Sequence, residues 1–269
     1  MQQRLALIPI ALASLTLGIA PAATAEKPRL VCVGSLSQST HLNGYCDPGQ
    51  GIPTARFNGG VSPKKLDRRT REPVRFTLSG RYRWFAENPS PGLRELVIEL
   101  DRNGGIEGAD IAVCRRTQLT ARGTAAARRI CRASIVGVGS AHVLLPGSAS
   151  ESPALPLTLF YGGAHAGATT VFVHAFLGRP IVAVAKLTGV DRGRYGWKAV
   201  LRVPKALAGA TIADFQLTTG RPAGLGGSGE LARARCSDGH LQARVLSVLA
   251  DGTRLYGTLL RSCTSKGPE

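Results

Sequence analysis

The chain from residue 73 to residue 263 repeats one local pattern, in which a short apolar or alternating run ends at a turn signal. Residues 74–84 alternate cleanly, and Phe76, Leu78 and Tyr82 fall on one face of the predicted strand. Further strands are predicted at residues 93–100, 111–113, 134–145, 155–161, 169–177, 181–190, 196–203 and 211–219, with three more between residues 231 and 263. This succession restricts the fold to an assembly of many short strands.

Helix signals are confined to one short segment. We predict a helix over residues 125–131 with Thr124 as its cap, since a threonine hydroxyl accepts hydrogen bonds from the free amides of a first turn. Residues 169–177 are apolar on both faces, which favours a place near the middle of a packed sheet. The predicted class is therefore all-β, a β-sandwich or an open barrel of mostly antiparallel strands with one short helix.

The first 25 residues are expected to be a secretory signal peptide. Arg4 supplies a positive charge, the run from there to Ile19 is uncharged, and an Ala-x-Ala sequence ends at Ala25, which suits a signal peptidase. An uncleaved anchor is the alternative, but this run is shorter than the about 20 apolar residues that a span needs. We expect a secreted or extracytoplasmic protein that begins near Glu26 and has no transmembrane segment after cleavage.

Three further segments are predicted after the signal peptide. Residues 26–72 are rich in Gly, Ser and Pro and are predicted to be an irregular N-terminal extension. Residues 73–263 contain the strand pattern and are predicted to form a single β-sandwich-like domain. Residues 264–269 are predicted to be a C-terminal tail.

Six cysteines follow the predicted cleavage site, and an even number in an exported chain indicates disulfides. Six cysteines allow fifteen connectivities, of which their order along the chain favours the local one. The predicted bridges, which would staple the fold, are Cys32–Cys46, Cys114–Cys131 and Cys236–Cys263. Zinc is the rival use of cysteine, but the chain has no C-x-x-C pair and no histidine at ligand spacing to a cysteine.

The last cysteine pair has a geometric setting. Asp-Gly turns at residues 238–239 and 251–252 divide residues 231–263 into three consecutive antiparallel strands. Cys236 and Cys263 then lie at one edge of this meander with the middle strand between them. One terminus must curl across that strand, because a disulfide does not span it.

The formal net charge is +17, and such a field attracts polyanions. Two interpretations stay open: a dedicated site for an anionic cell-wall polymer or lipid surface, and the arginine bias of a GC-rich genome. The basic groups are small and separate, at residues 64–65, 68–71, 115–116 and 128–129. Aromatic residues make up only 5%, too few for a single-strand binder, so no specific nucleic-acid partner is expected.

Two stretches of the chain carry a family resemblance. Residues 93–140 contain ELVIELDRNGG, an Ala/Arg-rich segment between Cys114 and Cys131, and IVGVGSA, and the chain closes with CSDGHLQARVLSVLADGTRLYGTLLRSC. In these stretches it resembles a group of uncharacterised secreted proteins from GC-rich actinobacteria, which has no assigned activity. The resemblance covers residue 74 onward. It implies export and the pairs Cys114–Cys131 and Cys236–Cys263, and it transfers no catalytic residue.

Catalytic motifs are missing from the sequence. It has no Gly-x-Ser-x-Gly elbow, and the glycine-rich residues 137–140 run into a strand, which favours packing over a phosphate cradle. His165 and His174 would approach each other across a predicted hairpin, but a lone histidine in so apolar a strand favours a hydrogen-bonded core residue. Residues 101–103 predict a hairpin turn rather than a calcium loop. We assign no catalytic, cofactor-binding or metal residue.

Two functions therefore remain after the sequence is read. The favoured one is a non-enzymatic extracellular or envelope-associated module with affinity for anionic surfaces through its arginines. The alternative is a secreted hydrolase whose polar site has no recognisable motif, which a concave pocket holding His and carboxylates would support.

The cysteine assignment makes a direct prediction about mass. If three disulfides form, the unreduced exported protein weighs six hydrogens less than the reduced chain, and alkylation without reductant adds no label. Intact-mass spectrometry of the exported protein measures both. Six alkylatable thiols would contradict the assignment.

Overall fold

The computed structural model describes residues 30–31, 54–83, 92–145, 154–207, 210–220 and 230–267. The strands of these residues, in chain order, are β1 (Leu30–Val31), β2 (Thr54–Ser62), β3 (Lys65–Asp67), β4 (Glu72–Pro73), β5 (Arg75–Arg83), β6 (Leu93–Asp101), β7 (Gly104–Ile106), β8 (Ile135–Leu144), β9 (Leu155–His165), β10 (Ala168–Leu177), β11 (Arg179–Arg192), β12 (Tyr195–Arg202), β13 (Thr211–Thr219), β14 (Ala232–Ala234), β15 (His240–Leu249), β16 (Arg254–Ser262) and β17 (Thr264–Lys266).

The described residues also contain one α-helix, α1 (Thr124–Ile130), and short 3-10 helices at Arg116–Gln118, Arg132–Ser134 and Lys205–Leu207. Within the described part of the chain, no helix has the length and apolar character needed to cross a membrane.

One large sheet dominates the molecule. Its strand order is β1-β16-β15-β6-β12-β11-β10-β9-β8-β13-β5-β2, and all neighbours are antiparallel except β1 and β16. At the junction of β2 and β16, Arg261 donates from Nε to the carbonyl of Gly59 and from Nη2 to Oδ1 of Asn58, both at 2.6 Å. The sheet is thus nearly closed into a barrel. The all-β prediction is confirmed, with the open barrel as the architecture.

Alternation along the strands separates an inner face from an outer one. On β6, where alternation along the strand predicts one face for Leu96, Ile98 and Leu100, Leu96 belongs to the buried interior cluster and Ile98 and Leu100 pack against it. On β10, Val171 and Val173 belong to an interior cluster, while Phe172 packs in a different cluster outside the barrel. The prediction that this strand is apolar on both faces because both are covered is confirmed.

The outer face of β9, β10 and β11 is covered by α1 and the turn before it. Leu119 and Ala127 pack there on Phe160 and Phe172. The disulfide Cys114–Cys131 joins the two ends of this segment, with a Cα–Cα distance of 5.5 Å. The cap prediction is wrong, because the chain is already helical at Thr124: the extended Gly123 precedes the helix and no side chain caps it.

A second, three-stranded sheet lies at one end of the barrel in the order β4-β14-β7. Its middle strand was predicted to be the first strand of a meander, and that prediction is wrong. Both edges of β15 are already paired, with β16 and with β6, so β14 has no place beside it. The turn at residues 101–103 is found, but it leads into β7 of this sheet rather than into a hairpin of the large one.

The predicted bridge Cys236–Cys263 is present, with a Cα–Cα distance of 5.9 Å. The prediction that one terminus curls across the middle strand is wrong, because Cys236 lies in the loop before β15 and Cys263 lies beside that same loop, directly after β16. Cys236 follows β14 and donates its N–H to the carbonyl of Asp67, while Cys263 donates to that of Gly239. The loop between β14 and β15 therefore holds both sulfurs together.

Several segment boundaries differ from the predictions. Residues 54–62 were predicted to be irregular, yet they form β2, which pairs with β5 along its whole length. Residues 264–266 of the predicted tail form β17, which pairs with β3. Residues 111–113 form no strand. The signal peptide, the pair Cys32–Cys46 and the glycine-rich residues 224–229 lie outside the described residues.

Glycine on β8 permits close contact with β13. A Cβ on Gly139 would overlap with the backbone carbonyl oxygen of Gln216, and one on Gly137 would lie 2.5 Å from that of Thr218. The glycine-rich residues 137–140 thus serve strand packing, as predicted from the sequence.

We expect Gly139→Ala to destabilise the fold by about 2 kcal/mol or more, because the opposing carbonyl is backbone and cannot rotate away. Gly189→Ala is the matched control, since a Cβ there meets nothing within 4 Å. Urea denaturation of both variants measures the difference. Equal free energies of unfolding would contradict the packing role.

Candidate functional site

Four arginines line an open pocket of about 360 Å³ beside the small sheet. We call it the arginine pocket and define it by Arg69, Arg71, Arg233 and Arg235. Glu107 and Trp197 complete its polar and aromatic walls, and Gly105 and Ile106 line its floor. Four guanidinium groups thus share the space with one carboxylate, which makes the pocket strongly electropositive.

Two of the arginines come from one strand and its continuation. On β14, Ala232 and Ala234 are buried, so the alternating positions Arg233 and Arg235 turn to the opposite side. Gly105 is the register partner of Arg233 on β7. A Cβ at Gly105 would lie 2.8 Å from Cδ of Arg71, so the absence of a side chain there admits that arginine to the pocket.

The other two arginines are presented by the turn after β3. Oδ1 of Asp67 accepts hydrogen bonds from the backbone N–H of Arg69, at 2.7 Å, and of Thr70, at 2.6 Å. These bonds hold the pKa of Asp67 below its ordinary value, and the bond from Thr70 contributes most to the lowering. Asp67 therefore stays ionised and keeps the turn in shape.

The adjoining carboxylate of Glu72 ties this turn to the C-terminal strand. Lys266 donates from Nζ to both oxygens of Glu72, at 2.7 and 2.9 Å, and this contact is the main cause of the lowered pKa of Glu72. The backbone N–H of Asp67 donates to the same carboxylate at 3.1 Å.

The guanidinium groups are positioned mainly by backbone carbonyls. Arg71 donates to the carbonyl of Arg102 at 2.8 Å, and Arg235 donates to the carbonyl of Arg69 at 3.1 Å. Arg233 forms an ion pair with Glu107. Each guanidinium has five N–H donors, so these contacts leave donors on every arginine for a bound anion. The side chain of Arg69 donates no hydrogen bond to any residue that the structure describes.

The neighbouring acidic residues are already paired. Asp101 accepts from Nε of Arg194 at 2.6 Å and from the backbone of Gln242 at 2.9 Å, and it is buried. Glu99 is buried beside Arg244, which donates from Nε at 2.6 Å. These carboxylates are neutralised on the outer face of the barrel and do not compensate the arginine pocket.

The histidines considered in the sequence lie apart from this pocket. His165 pairs with Ala168 and His174 with Thr158, so the expected approach of the two histidines is wrong: the hairpin turns at residues 166–167 and separates them along the strands. His174 is buried, and its Nε2 donates to the carbonyl of Arg122 at 3.0 Å, which confirms a hydrogen-bonded core residue. Among the described residues, no three His, Cys, Asp or Glu side chains are grouped to hold a metal.

Comparisons of the chain with models of known families, with curated proteins and with solved structures give no match.

Sequence reasoning found only half of the arginine pocket. Residues 68–71 are recognisable in the sequence as a basic group. Arg233 and Arg235 lie more than 150 positions further along the chain. The local signal for that second pair is the alternation of Ala and Arg in residues 232–235, which predicts two arginines on one face of a strand. The pairing that brings β14 beside β4 and β7 has no local signal.

The buried His174 gives a prediction about stability and pH. Burial lowers the pKa of His174 below the ordinary value of 6.5, so it is neutral in the folded protein near that pH, while the unfolded chain takes up a proton below it. We expect the free energy of unfolding to fall as the pH drops below 6.5, by at most about 1.4 kcal/mol per pH unit from this one group.

His174→Gln, whose amide can still donate to the carbonyl of Arg122, removes this slope, and His165→Gln at an exposed turn keeps it. Denaturant unfolding between pH 7.5 and about 5 provides the comparison. Parallel curves for wild type and His174→Gln would contradict the assignment.

Proposed function

We propose that the protein is a non-enzymatic extracellular or envelope-associated module that binds an anionic group in the arginine pocket. The observation that carries the proposal is the convergence of Arg69, Arg71, Arg233 and Arg235 on one open cavity with a single carboxylate. Guanidinium groups bind phosphate and carboxylate through paired, charge-assisted hydrogen bonds. Phosphate is the chemistry that anionic cell-wall polymers and anionic lipids have in common.

We infer the placement outside the cytoplasm from the predicted signal peptide and from the disulfides. The bridges Cys114–Cys131 and Cys236–Cys263 fit an oxidising compartment, in which such bonds persist. The second of them directly follows Arg235, so the pocket is built on a segment that the disulfide holds.

A hydrolase is the less favoured function. Its support would be a concave site with histidine and carboxylates in reach of one another. No histidine is found among the described residues that line the arginine pocket, and Glu107 is engaged by Arg233. The pair His142–Asp214, at 2.8 Å, lies on β8 and β13, away from the pocket residues.

Inorganic phosphate should raise the melting temperature of the wild-type protein, because it binds the folded state. We expect the double variant Arg69→Gln, Arg71→Gln to bind phosphate about tenfold more weakly, since charge-assisted hydrogen bonds are lost. The matched control is Arg116→Gln, Arg129→Gln, which removes the same charge from exposed positions beside α1. Calorimetric titration measures all three proteins.

Vesicles and purified cell wall then distinguish the source of the phosphate. Binding to vesicles with an anionic headgroup, and not to neutral ones, indicates a lipid surface, whereas retention on cell wall alone indicates the polymer. Either interaction should weaken as salt rises from about 0.05 to 0.5 M. Binding that is absent at low salt, or indifferent to salt, would contradict the proposal.

A further inference from the structure

On β6, the polar side chains of the outer face are more deeply buried than the apolar side chains of the inner face. The outward carboxylates Glu99 and Asp101 are only 4% and 3% exposed, while the inward Ile98 and Leu100 are only partly buried. Protein interiors are close-packed, so inward apolar side chains normally lose almost all of their accessible surface. The barrel interior therefore contains space that its own side chains do not fill.

That space consists of three adjoining cavities formed by described residues. The end cavity, near the small sheet, has a volume of about 60 Å³, the middle cavity about 110 Å³ and the far cavity about 80 Å³. Leu100 and Ile106 line both the end and the middle cavity, and Leu201 and Leu217 line both the middle and the far cavity. The three follow one another through the barrel interior.

The walls of the middle and far cavities are almost wholly apolar. The middle cavity is bounded by Leu, Ile, Val, Ala and Phe side chains, with Thr219 as its polar member. The hydroxyl of Thr219 is occupied, because it accepts from the N–H of Phe76 at 2.9 Å. Elsewhere in the interior, the hydroxyls of Tyr82 and Ser247 are 2.6 Å apart and pair with each other. The described walls of the middle and far cavities therefore offer no partner to a charged group, whereas the end cavity is also lined by Asp101, Arg233, Gln242 and Arg261.

The end cavity adjoins the arginine pocket. Gly105, Ile106 and Arg233 line both spaces, and Ile106 reaches the middle cavity as well. The residues that the two spaces share thus place the guanidinium groups beside the end cavity, beyond which the middle and far cavities form an apolar tract. An anion cannot leave the arginines for that tract, since an unpaired charge in an apolar interior is very costly.

We infer that the barrel binds an anionic amphiphile with a single alkyl chain, whose headgroup lies in the arginine pocket and whose chain passes Ile106 into the interior cavities. The inference rests on the proposed function and specifies its ligand. An apolar cavity of about 150 Å³ holds benzene, so the three cavities suit a chain of roughly six to ten carbons. A polymeric anion would make no use of the interior, which favours an amphiphile.

The test is a chain-length series on the intact protein. Inorganic phosphate and the butyl, hexyl, octyl and decyl phosphates are titrated calorimetrically below their micelle concentrations. We expect the affinity to rise about fourfold per methylene, the value that corresponds to burying one CH₂, and to level off when the interior is full. Equal affinity for phosphate and octyl phosphate would overturn this inference and leave the proposed function standing.

Variants of the middle cavity test where the alkyl chain of the ligand binds. Ala185→Leu narrows the middle cavity, and we expect it to abolish most of the chain-length gain while the affinity for inorganic phosphate is unchanged. Ala199→Val is a smaller change in the same cavity, for use if the first variant does not fold. Ala164→Leu is the matched control at an exposed position of β9 and should behave as wild type.

The remaining outcomes would each overturn the inference, the proposed function or both. A full chain-length gain in both cavity variants would place the chain outside the barrel and overturn the inference. Octanol is titrated in parallel; if it binds as tightly as octyl phosphate and inorganic phosphate does not bind, the headgroup assignment fails together with the proposed function. If neither phosphate nor any alkyl phosphate binds, both proposals are wrong.

Discussion

The closure of the large sheet is the constraint on which the rest of the structure depends. A sheet of twelve strands has two edges, and an exposed edge carries unpaired backbone groups. Here β2 returns beside β16, and Arg261 bonds to Gly59 and Asn58 across the junction. In a sheet that is nearly closed, the side chains that alternate along each strand meet different constraints on the two faces. Inward residues must fill a space of given width, whereas outward residues must be covered by other elements or by solvent.

The nearly closed sheet also explains part of the large positive charge. Glu99 and Asp101 are buried on the outer face, where an isolated carboxylate would be destabilising. Arg244 and Arg194 supply the necessary partners, so these arginines serve the fold. The arginine pocket is different, because its four guanidinium groups face one carboxylate and are not used to bury acids. Composition alone did not separate these two uses, and their position on the barrel does.

Local sequence patterns predicted the features that depend on local periodicity. They did not predict which strands pair with one another. The inward face of β6, the hairpin of β15 and β16 and two disulfides followed from alternation, turn residues and cysteine order. The sequence did not predict β2, because Phe57 is the only large apolar side chain of this strand that is fully buried. Most of the other positions are polar residues or glycine. Its place is set by pairing with β5. For the same reason β14 was assigned to the wrong sheet, and the arginine pocket, which β14 completes, could not be assembled from the sequence.

The small sheet connects the two halves of the candidate site. Its Ala232 and Ala234 face the barrel, where Ala232 lines both the end and the middle cavity, and its Arg233 faces the arginine pocket. A strand of three residues has little stability of its own, so it needs external anchors. The disulfide Cys236–Cys263 and the bond from Cys236 to Asp67 supply them at one end of β14, and Asp67 also shapes the turn that carries Arg69. Reduction of this one disulfide would therefore loosen both pairs of arginines and the end of the barrel together, which makes the intact disulfide a condition of the site and not only of the fold.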